Sequence, residues 1–412
     1  MNLLAKTCGP LGQATANAEL SPVCVDKGLR EDLSPPPCCW IVAGEASGDA
    51  YGAALAESLK AACPGIRLAG MGASKMRAAG VETYVDSTEL GIIGFVEVLK
   101  HLPLLLRLFR GLVRRAAEER PAVAVLIDYP GFNLRLAKKL HGLGIRVLWY
   151  VSPQVWAWKR NRIWQLAKYC ERMMCIFPFE PQYYAPTRLK AEFVGHPLFE
   201  QLLPLKKLGI QRDPRLVLLL PGSRRQELQR LLPDFVNAAC LLHRQNRELV
   251  FEFALPREAI QSYAKELLAK LSLPDDAPEF AWSCGRTRER MLQASAAIAA
   301  SGTVTVEAAM LDLPVVVAYR LGAISWWIGR RLVKLPYISI TNLVCERMVF
   351  EDYLQDDCTP EKLAAATQAI LPGGERHEAC LEQLKEFTRR LGDAVPVSPK
   401  IARIALEEAR RS

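Results

Sequence analysis

Short apolar runs that end in a polar or glycine-containing loop, with a helical pattern after the loop, recur along this chain. The first run, 38–43, precedes the turn 44–49 and a helical pattern through Tyr51, Leu55 and Leu59. Strands that alternate with helices predict a parallel sheet covered on both faces, because parallel neighbours need a long crossover connection. The recurrence therefore predicts an α/β fold.

Further apolar runs form two groups separated by a less regular stretch. They lie at 122–127, 146–151 and 172–177 in the first group and at 216–220, 249–254, 296–300 and 315–319 in the second. We interpret 195–213 as a linker, since Pro197 and Pro204 interrupt it, and expect a long helix that reaches about Gln245. The pattern predicts two α/β units, followed from Thr359 by helices alone.

The domain boundaries follow from these changes in pattern. Residues 1–39 are rich in Ala, Gly and Pro without apolar periodicity, so we expect a disordered leader. The two units are expected at 40–205 and 206–358, and the helices at 359–412 are expected to pack back across them. Whether those helices pack on this chain or on a second copy is open, so a homodimer is one alternative.

Charge and composition narrow the classes of partner. The 412 residues include 53 Lys and Arg against 44 Asp and Glu, a net charge of +9. This excess favours an anionic partner such as a nucleotide, a phosphate or an acidic membrane face. The longest stretch without a charged residue is 16 residues, from Met291 to Val306. A transmembrane helix needs roughly 20 apolar residues, so none is predicted.

Targeting and redox signals favour the cytosol. The first 33 residues lack a basic start followed by an apolar core, so no signal peptide is predicted. The twelve cysteines contain no C-x-x-C pair, and we expect free thiols rather than a zinc site.

The loop 301–307 has the chemistry of a diphosphate site. A small-residue turn before a helix exposes backbone N–H groups at the positive end of the helix dipole. Glu307, one turn beyond Thr303, would lie on the same face, where a carboxylate can accept both hydroxyls of a ribose. A capped structural helix with a solvated Glu307 explains the same residues.

Two other loops follow predicted strands. Gly222 allows a close approach of the backbone in the loop 221–224, and Arg224 offers a fork for phosphate oxygens, although a surface arginine fits equally. Asp128 ends an apolar run, where it suits a general base or a cap of the following turn. His196 is interpreted as structural.

Two absent motifs also narrow the chemistry. The chain has no Asp-x-Asp, the carboxylate pair with which some sugar-nucleotide enzymes hold a metal, so a helix dipole and an arginine must neutralise a leaving diphosphate. The turn 44–48 is not G-x-G-x-x-G, which argues against a dinucleotide enzyme.

Two stretches combine basic and large apolar residues. The stretch 92–113 interleaves Ile, Leu and Phe with Lys and Arg, and 319–338 contains Trp326 and Trp327 with four cations and no acid. Such surfaces suit an anionic membrane, while amphipathic helices that cover a sheet explain the same pattern.

Six motifs, taken in chain order, resemble those of lipid-A-disaccharide synthases. They are 41–49 (IVAGEASGD), 127–133 (IDYPGFN), 150–158 (YVSPQVWAW), 193–197 (FVGHP), 220–224 (LPGSR) and 301–303 (SGT) with Glu307. The run VSPQVWAW is the most specific, and the motifs cover about residues 40–360.

This resemblance implies a GT-B glycosyltransferase with two Rossmann-like domains and a cleft between them. The family transfers 2,3-diacylglucosamine from UDP to the 6-hydroxyl of 2,3-diacylglucosamine 1-phosphate (lipid X). The products are UDP and the β-1,6-linked disaccharide of lipid A in Gram-negative bacteria. The resemblance further implies an inverting enzyme without metal or other cofactor, peripheral on the cytoplasmic face of the inner membrane, with no nucleic-acid partner.

The same resemblance assigns roles to residues. Asp128 becomes the base that takes the proton of the acceptor hydroxyl. The implied substrate-binding residues are Glu45, Ser47, Asp49 and Asn133 in the first unit and Gly222, Ser223, Arg224, Ser301, Gly302, Thr303, Glu307 and Asn342 in the second. Two departures stand out: the family often has Pro-Asn-Leu where this chain has Thr341-Asn342-Leu343, and Gly131 replaces an Asp of some members.

Alternatives come from two classes. A peptidoglycan glucosaminyltransferase or a UDP-GlcNAc 2-epimerase shares the fold but lacks the VSPQVWAW run. A non-catalytic nucleotide-binding protein of the membrane surface would explain the basic stretches, although Asp128, Arg224 and Glu307 all being present argues for an enzyme.

Overall fold

The computed structural model describes residues 37–88, 98–322, 326, 337–392 and 396–411. Within these ranges the chain forms two all-parallel sheets with helices on both faces, which confirms the α/β prediction. Residues 1–36 of the predicted leader (1–39) and much of the two basic stretches, 89–97, 323–325 and 327–336, lie outside the described residues, whereas Cys38 and Cys39 belong to the first strand.

The first unit contains a seven-stranded sheet in the order β3-β2-β1-β4-β5-β6-β7. Its strands are β1 (Cys38–Ala43), β2 (Arg67–Gly72), β3 (Glu82–Asp86), β4 (Val123–Ile127), β5 (Arg146–Tyr150), β6 (Arg172–Cys175) and β7 (Lys190–Phe193). Its helices are α1 (Ala46–Ala62), α2 (Ser74–Ala78), α3 (Val98–Glu119), α4 (Pro130–Gly142), α5 (Arg162–Tyr169) and α6 (Leu198–Lys206), which leads into the second unit.

The second unit contains a six-stranded sheet in the order β10-β9-β8-β11-β12-β13. Its strands are β8 (Leu216–Leu220), β9 (Val250–Leu255), β10 (Phe280–Cys284), β11 (Ala296–Ala300), β12 (Val315–Tyr319) and β13 (Glu351–Leu354). Its helices are α7 (Arg225–Gln245), α8 (Glu258–Leu268), α9 (Thr287–Gln293), α10 (Thr303–Met310) and α11 (Ile340–Cys345). The predicted long helix ends at Gln245 as expected.

Alternate side chains of each central strand enter different cores. On β1, Ile41 packs into a core that extends across both units, whereas Val42 packs into a second core on the opposite face of the same sheet. In the second sheet, Leu218 enters the shared core and Leu219 enters a third one. The continuous apolar runs therefore reflect strands that are buried on both faces.

The closing helices divide between the two units. They are α12 (Pro360–Ile370), α13 (His377–Arg390) and α14 (Val397–Ala409). Helix α12 packs on α7 and the second sheet, α13 packs on α10 and α11, and α14 returns to α1, β4 and β5 of the first unit. The helices thus pack on their own chain, and the homodimer stays a prediction.

Two further expectations concern the redox state of the cysteines and membrane-spanning helices. All ten described cysteines are free thiols. Over the ranges that the structure covers, no helix is both long and apolar enough to span a bilayer.

A buried carboxylate joins α14 to the first sheet. The Glu408 side chain is 2% exposed and pairs with Arg146 of β5, while its Oε1 lies 3.7 Å from Nε of Arg172 on β6. The C-terminal helix is therefore fixed to the first unit by charge as well as by apolar packing.

Replacement of Glu408 by Gln is expected to lower the free energy of unfolding by about 1–3 kcal/mol, because two partly buried arginines lose a shared counter-charge. Glu407→Gln is the matched control: this neighbour on the same helix is 43% exposed, and its loss should cost about 0.5 kcal/mol or less. Urea unfolding followed by circular dichroism measures both. Equal effects would contradict the anchoring role of Glu408.

Candidate active site

The candidate site lies where the strand order of each sheet reverses. β1 and β4 are neighbours in the first sheet, and β8 and β11 are neighbours in the second. Connections leave such a pair in opposite directions and open a crevice at the carboxyl ends of the strands, where ligands of α/β sheets bind. The loops that follow these four strands are 44–45, 128–129, 221–224 and 301–302, and all of them belong to the motifs.

A cavity of about 300 Å³ joins the two crevices. Its walls include Ser47, Asp128 and Arg162 from the first unit and Thr303, Val306 and Ile340 from the second. Three of the residues predicted from the sequence, Ser47, Asp128 and Thr303, therefore meet at one cavity between the units. A ligand there would contact both units at once.

The turn after β4 holds Asp128 in an unusual backbone conformation. Asp128 and Tyr129 both have positive φ values, 46° and 48°. Such values cost about 1–3 kcal/mol per residue and persist where the surroundings enforce them. The Asp128 N–H donates to the Tyr150 carbonyl at 2.8 Å, and Asn133 Nδ2 donates to the carbonyls of Ile127 and Asp128 at 3.2 and 2.8 Å.

Burial and a neighbouring carboxylate raise the pKa of Asp128 to about 6, with burial the larger effect and Glu45 the second. A carboxylate with a pKa near the working pH is ionised enough to accept a proton and basic enough to hold it. The structure thus gives Asp128 the properties of a general base that faces a cavity.

The first motif contributes residues with different surroundings. Ser47 lines the cavity, and Glu45 is exposed beside Asp128. Asp49 is 3% exposed, and its carboxylate accepts from the N–H groups of Ala73 and Lys75 at 2.6 and 3.0 Å. Asp49 also accepts from a third N–H, that of Met76, and therefore caps α2.

Two predicted substrate-binding asparagines hold the backbone. Asn133 is fully buried and restrains the Asp128 turn as described above. Asn342 is also fully buried: its Oδ1 accepts from the N–H groups of Val349 and Phe350, and its Nδ2 donates to the Phe350 carbonyl and to Asp352. Both side chains act here on protein groups, and a direct role in binding substrate stays a prediction.

The loop before α10 presents unfilled donors. Thr303 is the first residue of an eight-residue helix, so its N–H and that of Val304 have no partner within the helix, while the Thr305 N–H donates to the Gly302 carbonyl at 3.1 Å. Gly302 is exposed, and a Cβ added there would meet no atom within 4 Å. Ser301 is tied to the sheet by its N–H, which donates to the Ala318 carbonyl. This geometry suits an anion at the start of α10.

Glu307 is paired rather than solvated. Its Oε1 accepts from Nη2 of Arg288 at 2.6 Å, and Nη1 of Arg288 donates to Gln201 at 3.0 Å. Arg288 lies on α9, and no motif in the sequence pointed to it. The pair fixes one oxygen of Glu307 and leaves the other carboxylate oxygen without a protein donor in the described part of the chain.

The sequence predicts that the loop after β8 binds phosphate, but two of its backbone N–H groups already have a partner within the protein. Gly222 has φ of 124°, and a Cβ there would lie 2.4 Å from Glu227. Glu227 Oε2 accepts from the N–H groups of Ser223 and Arg224 at 2.8 and 3.2 Å. Those amides are therefore filled by Glu227, while the Arg224 side chain is 81% exposed and its Nη1 lies 3.5 Å from Glu227 Oε1.

Sequence reasoning missed a buried carboxyl in the cavity wall. Glu180 is 1% exposed and accepts from the N–H groups of Ile176 and Phe177 and from Trp156 Nε1. Burial raises its pKa to about 8. Its position shortly after β6, at the end of a parallel strand, was the available signal.

His196, which the sequence interpretation takes as structural, lies in the wall of the same cavity. It is 3% exposed, and burial lowers its pKa to about 3, so the ring is neutral. Its Nδ1 accepts from the Leu198 N–H at 3.3 Å, which places it at the start of α6. In the described ranges no three His, Cys, Asp or Glu side chains lie close enough together to hold a metal ion.

Comparison with solved structures supports the fold. UDP-GlcNAc 2-epimerase from Neisseria meningitidis, solved with bound UDP-GlcNAc, has a TM-score of 0.60 at 13% identity and covers 91% of this chain and 100% of its own. The calicheamicin glycosyltransferase CalG4 has a TM-score of 0.56 at 14% identity, with coverage of 91% and 99%. At these identities the likeness concerns the fold, and it confirms the GT-B architecture.

Sequence comparison is more specific. The lipid-A-disaccharide synthase of Myxococcus xanthus is 39% identical over 373 residues, which cover 88% of this chain and 95% of that protein. The profile of the lipid-A-disaccharide synthetase family matches residues 39–403, a span that includes both sheets, all four loops at the crevices and most of α14. With its motifs at the carboxyl ends of the strands that flank both crevices, this chain belongs to the lipid-A-disaccharide synthetase family.

Proposed function

We propose that this protein transfers 2,3-diacylglucosamine from UDP to the 6-hydroxyl of 2,3-diacylglucosamine 1-phosphate, with inversion at the anomeric carbon. The observation that carries the proposal is the strained Asp128 turn, which faces a cavity whose opposite wall begins at the anion-suited start of α10. An acceptor and a nucleotide-sugar need such a shared cavity with a base on one side and anion-binding groups on the other.

On the acceptor side, Asp128 removes the proton of the hydroxyl as its oxygen attacks the anomeric carbon. The pKa of about 6 leaves Asp128 largely ionised at neutral pH. The bond between that carbon and the UDP oxygen breaks, and the electron pair leaves with the diphosphate. One proton moves to Asp128 and one negative charge to UDP, so the step is balanced.

On the donor side, the developing charge needs donors that are already in place. The Arg224 guanidinium supplies a fork for phosphate oxygens, and the first turn of α10 supplies backbone N–H groups. Glu307, oriented by Arg288, accepts the ribose hydroxyls. We propose that these groups hold UDP without a metal ion or other cofactor.

The exposed side of α3 supports a location at an anionic membrane. Leu104 and Leu106 are 38% and 43% exposed, and Arg107 and Arg110 on the same helix are also exposed. Apolar side chains flanked by cations fit a lipid surface. We propose that the protein binds the cytoplasmic face of the inner membrane of a Gram-negative cell, where the diacyl substrates lie.

The reaction is tested by mass spectrometry of the purified protein with both diacyl substrates in EDTA. Disaccharide 1-phosphate and UDP are the expected products. Asp128→Asn should reduce turnover by about 10³-fold or more, because the acceptor then has no base. It should remain folded, since removing a buried carboxylate with a raised pKa does not destabilise the protein at neutral pH. Turnover retained by Asp128→Asn would exclude the base assignment.

The activity should rise with pH through about 6, because Asp128 acts in its ionised form. Glu45→Gln removes a negative neighbour that raises the pKa of Asp128, so this limb of kcat/KM should move by about 0.5 unit to lower pH. Glu57→Gln, an exposed change on α1, is the control and should leave the limb in place. Glu180 titrates near 8, above this limb. If the limb of kcat/KM stayed at the same pH in Glu45→Gln, Asp128 would be excluded as the group that titrates there.

Membrane binding is tested by flotation with vesicles of phosphatidylglycerol and phosphatidylcholine. The double variant Leu104→Ser, Leu106→Ser should float severalfold less than the unchanged protein on anionic vesicles. Leu208→Ser, a change at a residue that is 63% exposed elsewhere, should float normally. Equal flotation of all three proteins would contradict the assignment of α3.

A further inference from the structure

The cavity contains a cation that the proposed mechanism does not use. Arg162 lines the cavity together with Asp128, and among its described lining residues it is the one side chain with a permanent positive charge. The other basic residue of the wall, His196, is buried and neutral. Arg162 belongs to the first unit, on the acceptor side.

The VSPQVWAW motif determines where Arg162 lies. Val151 follows β5 with φ of 68°, and the chain then turns so that the Trp158 N–H donates to the Gln154 carbonyl at 3.1 Å. Lys159 takes a second positive φ, 51°, and its carbonyl accepts from the Arg162 N–H at 3.0 Å. Arg162 is then the first residue of α5, at the edge of the cavity.

The guanidinium of Arg162 has no carboxylate partner in the described part of the chain. Its contact is with the Trp158 ring, whose centroid lies 5.2 Å from Cζ. Partial burial lowers the pKa of Arg162, with no described carboxylate to offset it. Arg224 and Arg288, the other arginines of the site, pair with Glu227 and Glu307. A partly buried, unpaired cation that faces a cavity is suited to a ligand anion.

We propose that Arg162 binds the phosphate of the acceptor and so makes the enzyme selective for a sugar 1-phosphate. This inference rests on the proposed function. The acceptor's hydroxyl and phosphate are on different carbons of one sugar, so separate protein groups must hold them at one cavity. Asp128 and Arg162 are such a pair, both on the first unit.

A positive charge beside Asp128 would also reduce the electrostatic repulsion that the acceptor phosphate meets there. A phosphate dianion that enters beside Asp128 and Glu45 meets two carboxylates. Repulsion between like charges would weaken binding of the very substrate that must approach the base. The Arg162 guanidinium offsets that repulsion, and its planar fork can donate two parallel hydrogen bonds to phosphate oxygens.

The test compares two acceptors, 2,3-diacylglucosamine 1-phosphate and 2,3-diacylglucosamine, with the full-length protein in neutral detergent micelles. Arg162→Gln should raise KM for the phosphorylated acceptor by about tenfold or more, the usual effect of losing a charged hydrogen-bond donor. Turnover of the acceptor without phosphate should change by less than about twofold, since that substrate makes no such contact. Arg162→Lys should restore part of the preference, because it keeps the charge but not the fork.

Arg160→Gln is the matched control. Arg160 is exposed in the same segment, and its Cζ lies 5.7 Å from the Tyr183 ring rather than at the cavity. This variant should keep the preference for the phosphorylated acceptor.

Four results would overturn the proposal. Equal losses with both acceptors would show a structural role, and a raised KM for the UDP-sugar alone would place Arg162 on the donor. An effect that appears only when phosphatidylglycerol is added to the micelles would assign Arg162 to lipid headgroups. Unchanged kinetics in Arg162→Gln would exclude the contact. Failure of the proposed function is distinct, because the unchanged protein would then form no disaccharide from either acceptor.

Discussion

The position of Asp128 in the candidate site depends on two hydrogen bonds that the Asn133 side chain donates to the backbone. The side-chain amide donates to two successive carbonyls, those of Ile127 and Asp128, where the chain leaves β4 in a left-handed conformation. Tyr129 has the same conformation, and its ring packs against Gly44. A Cβ added at residue 44 would lie only 2.3 Å from Tyr129 Cδ1. Gly44 and Asn133 belong to different motifs, yet both support the turn that contains Asp128 and Tyr129. The motifs are coupled by packing at the reversal of strand order, not by a shared ligand alone.

Charge is distributed across the cavity in the way that transfer from a nucleotide requires. The first unit places the carboxyls of Asp128 and Glu180 in the wall, and burial raises the pKa of each. The second unit contributes the start of α10 to the cavity through Thr303, and Arg224 lies outside the residues that line it. A proton accepted on one side and an anion stabilised on the other need opposite environments, and a two-unit fold keeps these apart. Arg162 is the one permanent cation among the described residues of the cavity wall, and the proposed contact with the acceptor phosphate would neutralise it.

The sequence predicts those parts that depend on local pattern. The run at β4 is buried at all five positions, and β8 and β11 match their predicted bounds. Five of the described strands escaped prediction, namely the edge strands β3, β7, β10 and β13 and the inner strand β2. The edge strands consist mostly of half-buried or exposed positions and so lack a continuous apolar run, and β2 is interrupted by Gly70. Asp49 and Asn342 show a deeper limit, since a polar residue in a motif looks the same whether it holds backbone or ligand. The two roles can be distinguished only by the hydrogen-bond partners of the side chain, which the structure shows and the sequence pattern does not.

The two loops of the second unit show how a ligand's diphosphate would be shared. After β8, Glu227 already accepts from the amides of Ser223 and Arg224, so these two N–H groups have a partner within the protein, while the Arg224 side chain is 81% exposed. After β11, no side chain among the described residues caps the start of α10, and Gly302 borders open space. The first loop therefore offers an exposed guanidinium, and the second offers backbone N–H groups. If the nucleotide binds as proposed, the backbone N–H groups would orient its phosphates, and the Arg224 guanidinium would donate to the oxygens that gain charge as the bond to the sugar breaks.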